Sequence, residues 1–325
     1  MSTEGGTKAV LAALVANAGI AISKFVAFFF TGSSSMLSEA IHSVADSGNQ
    51  VLLLIGGKRA KARPDDQHQF GYGRRRYVYG FIVAIVLFLV GGLFSVYEGV
   101  HKIQHPEELN DAWIAFLVLG IAIVLEAFSF RTALRESNKS RGSKSLARFL
   151  RDSRQPELPV ILLEDTGALL GLVFALIGVS LAVVTGDGRW DGMGALAVGC
   201  LLVVIAVFLA FEMASMLVGE SALPEEQEAI RAALAGAPLV DRVIHLRTLH
   251  TGPDELLVAA KVAIGRDDTG EQIAAGIDDA ERAVRAVVPT ATWIFIEPDL
   301  DRLLPAPATP ADPAAPADPE PAPES

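Results

Sequence analysis

At 325 residues, with 51% hydrophobic and only 20% charged residues, the chain is too apolar to fold as one soluble domain, and its apolar residues come in long runs. The formal charge of -11 names no partner: the acids gather in the C-terminal third while Lys and Arg crowd two short segments, so no nucleic-acid patch is expected. The one cysteine, Cys200, lies in an apolar run, which excludes a disulfide framework and a cysteine-based zinc motif.

Six runs, near 9–31, 36–57, 77–100, 112–130, 158–185 and 193–218, approach the length of about 20 helical residues that crosses a bilayer. The first continues through Phe30 without a cleavage signature, so it reads as a span and not a removable signal. A very short turn, Thr31-Gly-Ser-Ser-Ser35, makes the first two spans antiparallel neighbours. Lys58 to Arg76 and Arg131 to Arg154 bracket the two basic segments, whereas the opposite loops hold Lys102 and Arg189. The positive-inside rule places both basic segments, and with six spans both termini, in the cytoplasm, and a plasma (inner) membrane is expected.

Beyond Glu220 the chain reads as soluble. Pro224 opens a helix, alternating stretches at 243–249 and 256–264 flank the turn residues Gly252-Pro253-Asp254, an amphipathic helix covers 270–288, and a short strand covers 292–297. This order suits a small ferredoxin-like α+β domain. The predicted organisation is a six-helix transmembrane domain over 1–220, a cytoplasmic domain over 221–300 and a disordered Pro/Ala/acidic tail over 301–325.

The chemistry concentrates in Ser35 to Gln50. At spacings of three, four and three, Glu39, His42, Asp46 and Asn49 share one helix face, and an imidazole and a carboxylate four apart can grip a divalent cation. The alternative is an interhelical hydrogen-bond cluster, although ionisable groups at membrane depth tend to mark a pathway. On the fifth span Glu164 and Asp165 stand about 100° apart around the helix; either completes the coordination, or one binds a neighbouring helix as a protonated carboxyl. Lys24 is read as snorkelling from a helix end, Glu98, Glu126 and Glu212 as dimer contacts or helix-end caps, and Asp191 as the cap of the sixth span. Asp65 and His68 form either a loop metal pair or a solvated turn. His245, His250, Glu297 and Asp299 are a further donor-rich set, with His245 and Glu297 on strands that could pair into a regulatory site. Neither a His-Glu-x-x-His hydrolase motif nor an ATP-binding loop is present, so no enzyme activity and no prosthetic group are expected.

Asn17, Lys24, Thr31-Gly32-Ser33, His42-Ser43-Val-Ala-Asp46, His68-Gln-Phe-Gly-Tyr-Gly73, Asp191-Gly192 and Gly219-Glu220-Ser221 together resemble the cation diffusion facilitator transporters, over residues 8–300. The resemblance implies a homodimer that exports zinc or a related divalent cation from the cytoplasm in exchange for protons. It also implies a tetrahedral site built from residue pairs four apart on the second and fifth spans, mapping here to His42, Asp46 and Asp165. The fourth position holds Ile161, which cannot bind metal, so Glu164, a water or Asn17 is left to fill it. The Glu164-Asp165 pair is similar to the branch related to zinc transporter nine. Tyr72 replaces a loop histidine common among relatives, and Ala260 replaces a donor of the cytoplasmic dimer-bridging pair, in which His245, Glu297 and Asp299 match.

Overall fold

The computed structural model describes residues 3–31, 34–106 and 112–300; the expected disordered tail lies outside the described residues. Six long helices form the first part of the chain: α1 (Thr3–Thr31), α2 (Ser34–Ala60), a continuous helix made of α3 (Arg75–Val86), a π-helical segment (Leu87–Leu93) and α4 (Phe94–Gln104), then α5 (Ala112–Arg141), α7 (Glu157–Thr185) and α8 (Arg189–Val218). The third helix as a whole, α5, α7 and α8 are each long and apolar enough to cross a membrane; α1 carries a shorter apolar stretch, Asn17–Phe30, and the polar stripe lowers the apolarity of α2. Helix α5 runs well past the predicted end of its span, because no breaker intervenes before Gly142, whose φ of 59° gives the left-handed turn that stops helices. Much of the second basic segment is therefore helical, in the end of α5 and in α6 (Leu146–Asp152).

The helices α4 and α8 meet backbone to backbone. A Cβ on Gly99 would stand 2.5 Å from the Leu196 nitrogen, and one on Gly199 would stand 2.5 Å from the Val96 nitrogen. Small residues allow this approach where lipid supplies no hydrophobic drive for association. Gly99→Val is expected to push the helices apart and cost on the order of 1–3 kcal/mol, read as a lowered melting temperature in detergent. The same substitution at Gly120, where a Cβ meets nothing within 4 Å, serves as the control.

Three charged groups depart from the sequence expectation. Lys102 is buried and its Nζ donates to Asp191 Oδ2 at 2.5 Å, with Asp191 fully buried, so Asp191 pairs with α4 where a cap of α8 is expected, and the N-cap position belongs to Gly188. Arg76, counted in the sequence with the basic loop, is buried as well. Its Nε and Nη2 donate to Glu157 Oε1 and Oε2 at 2.5 and 2.6 Å, and Nη1 donates to Asp254 Oδ2 at 2.9 Å. The guanidinium fork thereby ties α3 to the start of α7 and to the hairpin turn of the C-terminal part, with geometry that a lysine cannot reproduce.

After Gly219, whose φ of 117° redirects the chain, come α9 (Pro224–Ala235), β1 (Arg242–Gly252), β2 (Glu255–Ile264), α10 (Gly270–Val287) and β3 (Ala291–Leu300). The sheet order is β1-β2-β3, with β1 antiparallel and β3 parallel to β2. Ile230 and Leu234 of α9 and Val284 of α10 pack with Leu246, Val258, Val262 and Ile294 of the sheet in one apolar core, giving the two-layer α+β arrangement. Thr269 and Gln272 close a capping box at the start of α10.

His250 on β1 is buried, and burial reinforced by the Arg154 charge pushes its imidazole below the usual 6.5. Such a histidine binds fewer protons folded than unfolded, so its stabilising contribution is complete above that usual value and declines as pH falls below it. Melting temperature is expected to drop on acidification from about pH 7 to about pH 5, with a shallower drop in His250→Leu. Equal slopes in the two proteins would remove His250 as the cause.

Candidate metal site

The centre of the helical part is a polar cluster supplied by four helices. On α2 the four-residue spacing sets His42 Nε2 3.2 Å from Asp46 Oδ2, with both side chains buried. One turn on, Asn49 Nδ2 donates to Glu164 Oε1 at 2.8 Å and Gln50 Nε2 donates to Glu164 Oε2 at 3.4 Å. Asn17 of α1 donates through Nδ2 to Gln50 Oε1 at 3.4 Å, so the amides form a chain from α1 through α2 to α7. On the adjacent position of α7, Asp165 Oδ2 accepts from Ser129 Oγ of α5 at 3.0 Å. Lys24 is 1% exposed and its Nζ donates to Ser43 Oγ at 2.9 Å, placing an ammonium where its charge acts on Asp46.

This arrangement separates Glu164 from Asp165. Both oxygens of Glu164 accept from amides of α2, so it behaves as the hydrogen-bonded partner of a neighbouring helix. Asn17 is likewise committed to Gln50. By contrast Asp46 Oδ1 and Asp165 Oδ1 are buried and accept no hydrogen bond among the described residues, which is costly for a carboxylate unless something positive comes to it. Asp46 and Asp165 thus each keep an oxygen able to meet a cation, but no three His, Cys, Asp or Glu side chains among the described residues converge into a closed ligand cage. The Glu39 side chain, fourth member of the predicted stripe, lies outside the described residues. The π-helical segment borders the cluster: a Cβ on Gly91 would stand 3.2 Å from His42 Nδ1.

Two groups in the cluster escape the sequence reading. Lys24 does not snorkel; it faces Ser43 and Asp46 inside the bundle. Glu126 is neither a cap nor an end residue: it is 3% exposed in the middle of α5, and its charge acts on Asp46, Glu164 and Asp165. The signal was present in the spacing, because the buried face of α5 runs through Ala115, Val118, Ala122, Glu126, Ser129, Ala133 and Ser137, a stripe turned towards neighbouring helices.

The loop pair is a folded turn. Asp65 Oδ1 accepts from the backbone of Gln67 and His68 at 3.1 and 2.8 Å, and Oδ2 accepts from the Tyr72 hydroxyl at 2.5 Å. The Tyr72 bond, aided by those amides, holds the Asp65 carboxyl below the usual range. His68 is half-exposed with Nδ1 3.5 Å from Asp65 Oδ1 and its ring 4.3 Å from that of Tyr72. Both Asp65 oxygens are in use, which explains the pair as turn chemistry.

In the C-terminal part the expected pairing of His245 with Glu297 does not occur. The register runs His245 to Lys261 to Glu297, so β2 stands between them. Lys261 Nζ lies 2.9 Å from both Glu297 Oε1 and Asp299 Oδ2, an ammonium where a bridging metal is expected, and those bonds push the Lys261 pKa up.

Comparison with known proteins agrees with this architecture. The family model described as the cation efflux transmembrane domain matches residues 10–218. The chain is 35% identical over 244 residues to the mouse (Mus musculus) protein named proton-coupled zinc antiporter SLC30A9, mitochondrial, covering 74% of this chain and 43% of that relative. The human (Homo sapiens) counterpart is 34% identical over the same shares. Similarity to the cation-efflux pump FieF of Klebsiella pneumoniae is 22% identity over 305 residues, 92% of this chain and 94% of that protein. The chain spans less than half the length of the mammalian relatives. With the helical bundle, its polar centre and the match over residues 10–218, this integral multi-pass membrane protein belongs to the cation efflux, or cation diffusion facilitator, family.

Proposed function

We propose that the chain exports a divalent metal cation, zinc foremost, by alternating access, moving it away from the side that carries the basic segments in exchange for protons. The observation that carries this reading is the buried donor set of His42, Asp46 and Asp165, with carboxylate oxygens of both aspartates left without hydrogen bonds among the described residues. An apolar bundle has no structural use for such oxygens, whereas a cation passing through satisfies them. Imidazole nitrogen and carboxylate oxygen suit zinc and its first-row neighbours.

Proton exchange follows from the ligands themselves. Metal binds the deprotonated forms of His42 and the carboxylates, so protons and metal compete for the same atoms. A cycle that loads metal on one side and protons on the other needs no separate relay. His42 and Asp46 ride on α2 and Asp165 on α7, so a change in how those helices meet opens or closes the site. The names of the SLC30A9 relatives, as proton-coupled zinc antiporters, support the same chemistry. The FieF likeness keeps other divalent metals in play, and a homodimer is the expected working unit from the family resemblance.

The test is uptake by proteoliposomes containing the full chain, with a panel of zinc, cadmium, cobalt, manganese and iron(II). Saturable, protein-dependent uptake of at least one metal is expected. Tight binding with no flux of any metal would replace the transporter by a membrane-anchored metal-binding protein.

A further inference from the structure

The loop that leads into α3 and the strands β1 and β2 enclose a cavity of about 400 Å³, with Leu249, Thr251 and Leu257 as its far wall. Its near wall carries the Arg74 and Arg75 guanidinia, the His68 ring and the Gln67 and Gln69 amides, and no Asp or Glu among the described residues lines it. The next residue, Arg76, is saturated by Glu157 and Asp254, whereas Arg74 and Arg75 are half-buried and form no ion pair among the described residues. Half-burial takes water from a guanidinium without supplying a counter-charge, and an anion relieves that cost. Arg75 is also held in place: its Cζ stands 3.9 Å over the Tyr72 ring, and the Tyr72 hydroxyl donates to Asp65 Oδ2.

The helix beneath these two cations is apolar on its open face. Val78, Ile82 and Ile85 are 41%, 36% and 41% exposed, and at spacings of four and three they share one face of a helix long enough to cross a membrane. Arg74 and Arg75 stand four and three residues before Val78, so both head that same stripe, at the helix end where bilayer headgroups lie.

We propose that this cavity binds the headgroup of an anionic phospholipid, its phosphate held by Arg74 and Arg75 and an acyl chain lying along Val78, Ile82 and Ile85. Two guanidinia without counter-charge above an exposed apolar stripe match an amphiphile with one anionic end. A soluble anion would use the guanidinia and leave the stripe bare. Because β1 and β2 form the far wall, the bound headgroup also bridges α3 and the C-terminal sheet.

The test is lipid titration of the purified full chain in neutral detergent, followed by native mass spectrometry, with phosphatidylglycerol as the anionic lipid and phosphatidylcholine as the zwitterionic control. The parent is expected to bind phosphatidylglycerol more tightly, and Arg74→Gln with Arg75→Gln to lower that affinity by about 25-fold, at roughly fivefold for each guanidinium. Arg131→Gln with Arg135→Gln removes the same charge from exposed positions of the other basic segment and is expected to change little. Equal losses in the two pairs, or equal binding of the two lipids by the parent, would overturn the site. If inorganic phosphate alone raises the parent's melting temperature as much as phosphatidylglycerol does, the cavity serves a soluble anion and the lipid assignment falls. If the Arg74 and Arg75 replacements split a dimer while lipid affinity stays at the parent value, the face belongs to a second copy and the assignment falls likewise. Should that pair fail to fold, Gln67→Glu with Gln69→Glu decides, since it adds acid to the cavity wall and removes no contact of the arginines: weakened phosphatidylglycerol binding supports the site, and parent affinity overturns it.

Discussion

Replacing His42 or Asp46 by alanine is expected to reduce metal uptake by reconstituted protein to the protein-free background, a loss of at least about a hundredfold, given that outer partners alone cost ten- to a hundredfold. The two side chains stand 3.2 Å apart on one face of α2, and each offers a donor atom to a cation. The fold should survive. Asp46→Ala leaves Lys24 with its bond to Ser43, and the Glu164 bonds to Asn49 and Gln50 do not involve either residue. Uptake and thermal unfolding are therefore expected to separate: flux collapses while the melting temperature without metal moves little. Retained flux in Asp46→Ala would show that metal takes another path.

The largest stability effect is expected at the other polar pair inside the bundle. Asp191→Ala removes the partner of Lys102 Nζ, which is 3% exposed and stands 2.5 Å from the Asp191 carboxylate. An ammonium deprived of its partner in a low-dielectric interior costs about 3–5 kcal/mol, whereas replacing both partners by apolar groups of similar volume is often neutral. Asp191→Ala should unfold far earlier than the parent in detergent, and Lys102→Met combined with Asp191→Leu should recover most of the loss. If the double replacement is as unstable as the single one, the pair serves something other than local charge compensation. Flux in the recovered double replacement should remain, because neither residue belongs to the proposed transport site.

The helices, the strands and the shared polar face of α2 were legible because each rests on local pattern. Apolar length marks a span, alternation marks a strand, and spacings of three and four place side chains on a shared face. The C-terminal part illustrates the reach of that logic: strands predicted at 243–249, 256–264 and 292–297 fall inside β1, β2 and β3. The sequence pattern could not say which strand lies between the others, so His245 and Glu297 looked able to pair when Lys261 stands between them.

Charged residues were misread for a related reason. Lys24, Arg76, Lys102 and Asp191 each looked like an end residue, cap or loop base, and each is buried against a partner from 19 to 178 positions away. Such pairs depend on how helices are arranged around one another, which a single helix does not encode. Glu126 is the intermediate case. Its spacing with Ala122, Ser129 and Ala133 shows that it faces inward, but only the packing of the helices brings its charge to act on Asp46, Glu164 and Asp165.

The measurement that bears most directly on proton-coupled metal export at His42, Asp46 and Asp165 is simultaneous recording of metal and proton movement in proteoliposomes carrying a metal dye and a pH dye. In the parent, zinc entry is expected to drive protons out, with an opposing pH gradient speeding or slowing zinc in the matching direction, and both signals are expected to vanish in His42→Ala. Zinc movement that leaves internal pH unchanged, or that persists in His42→Ala, would contradict exchange at this site.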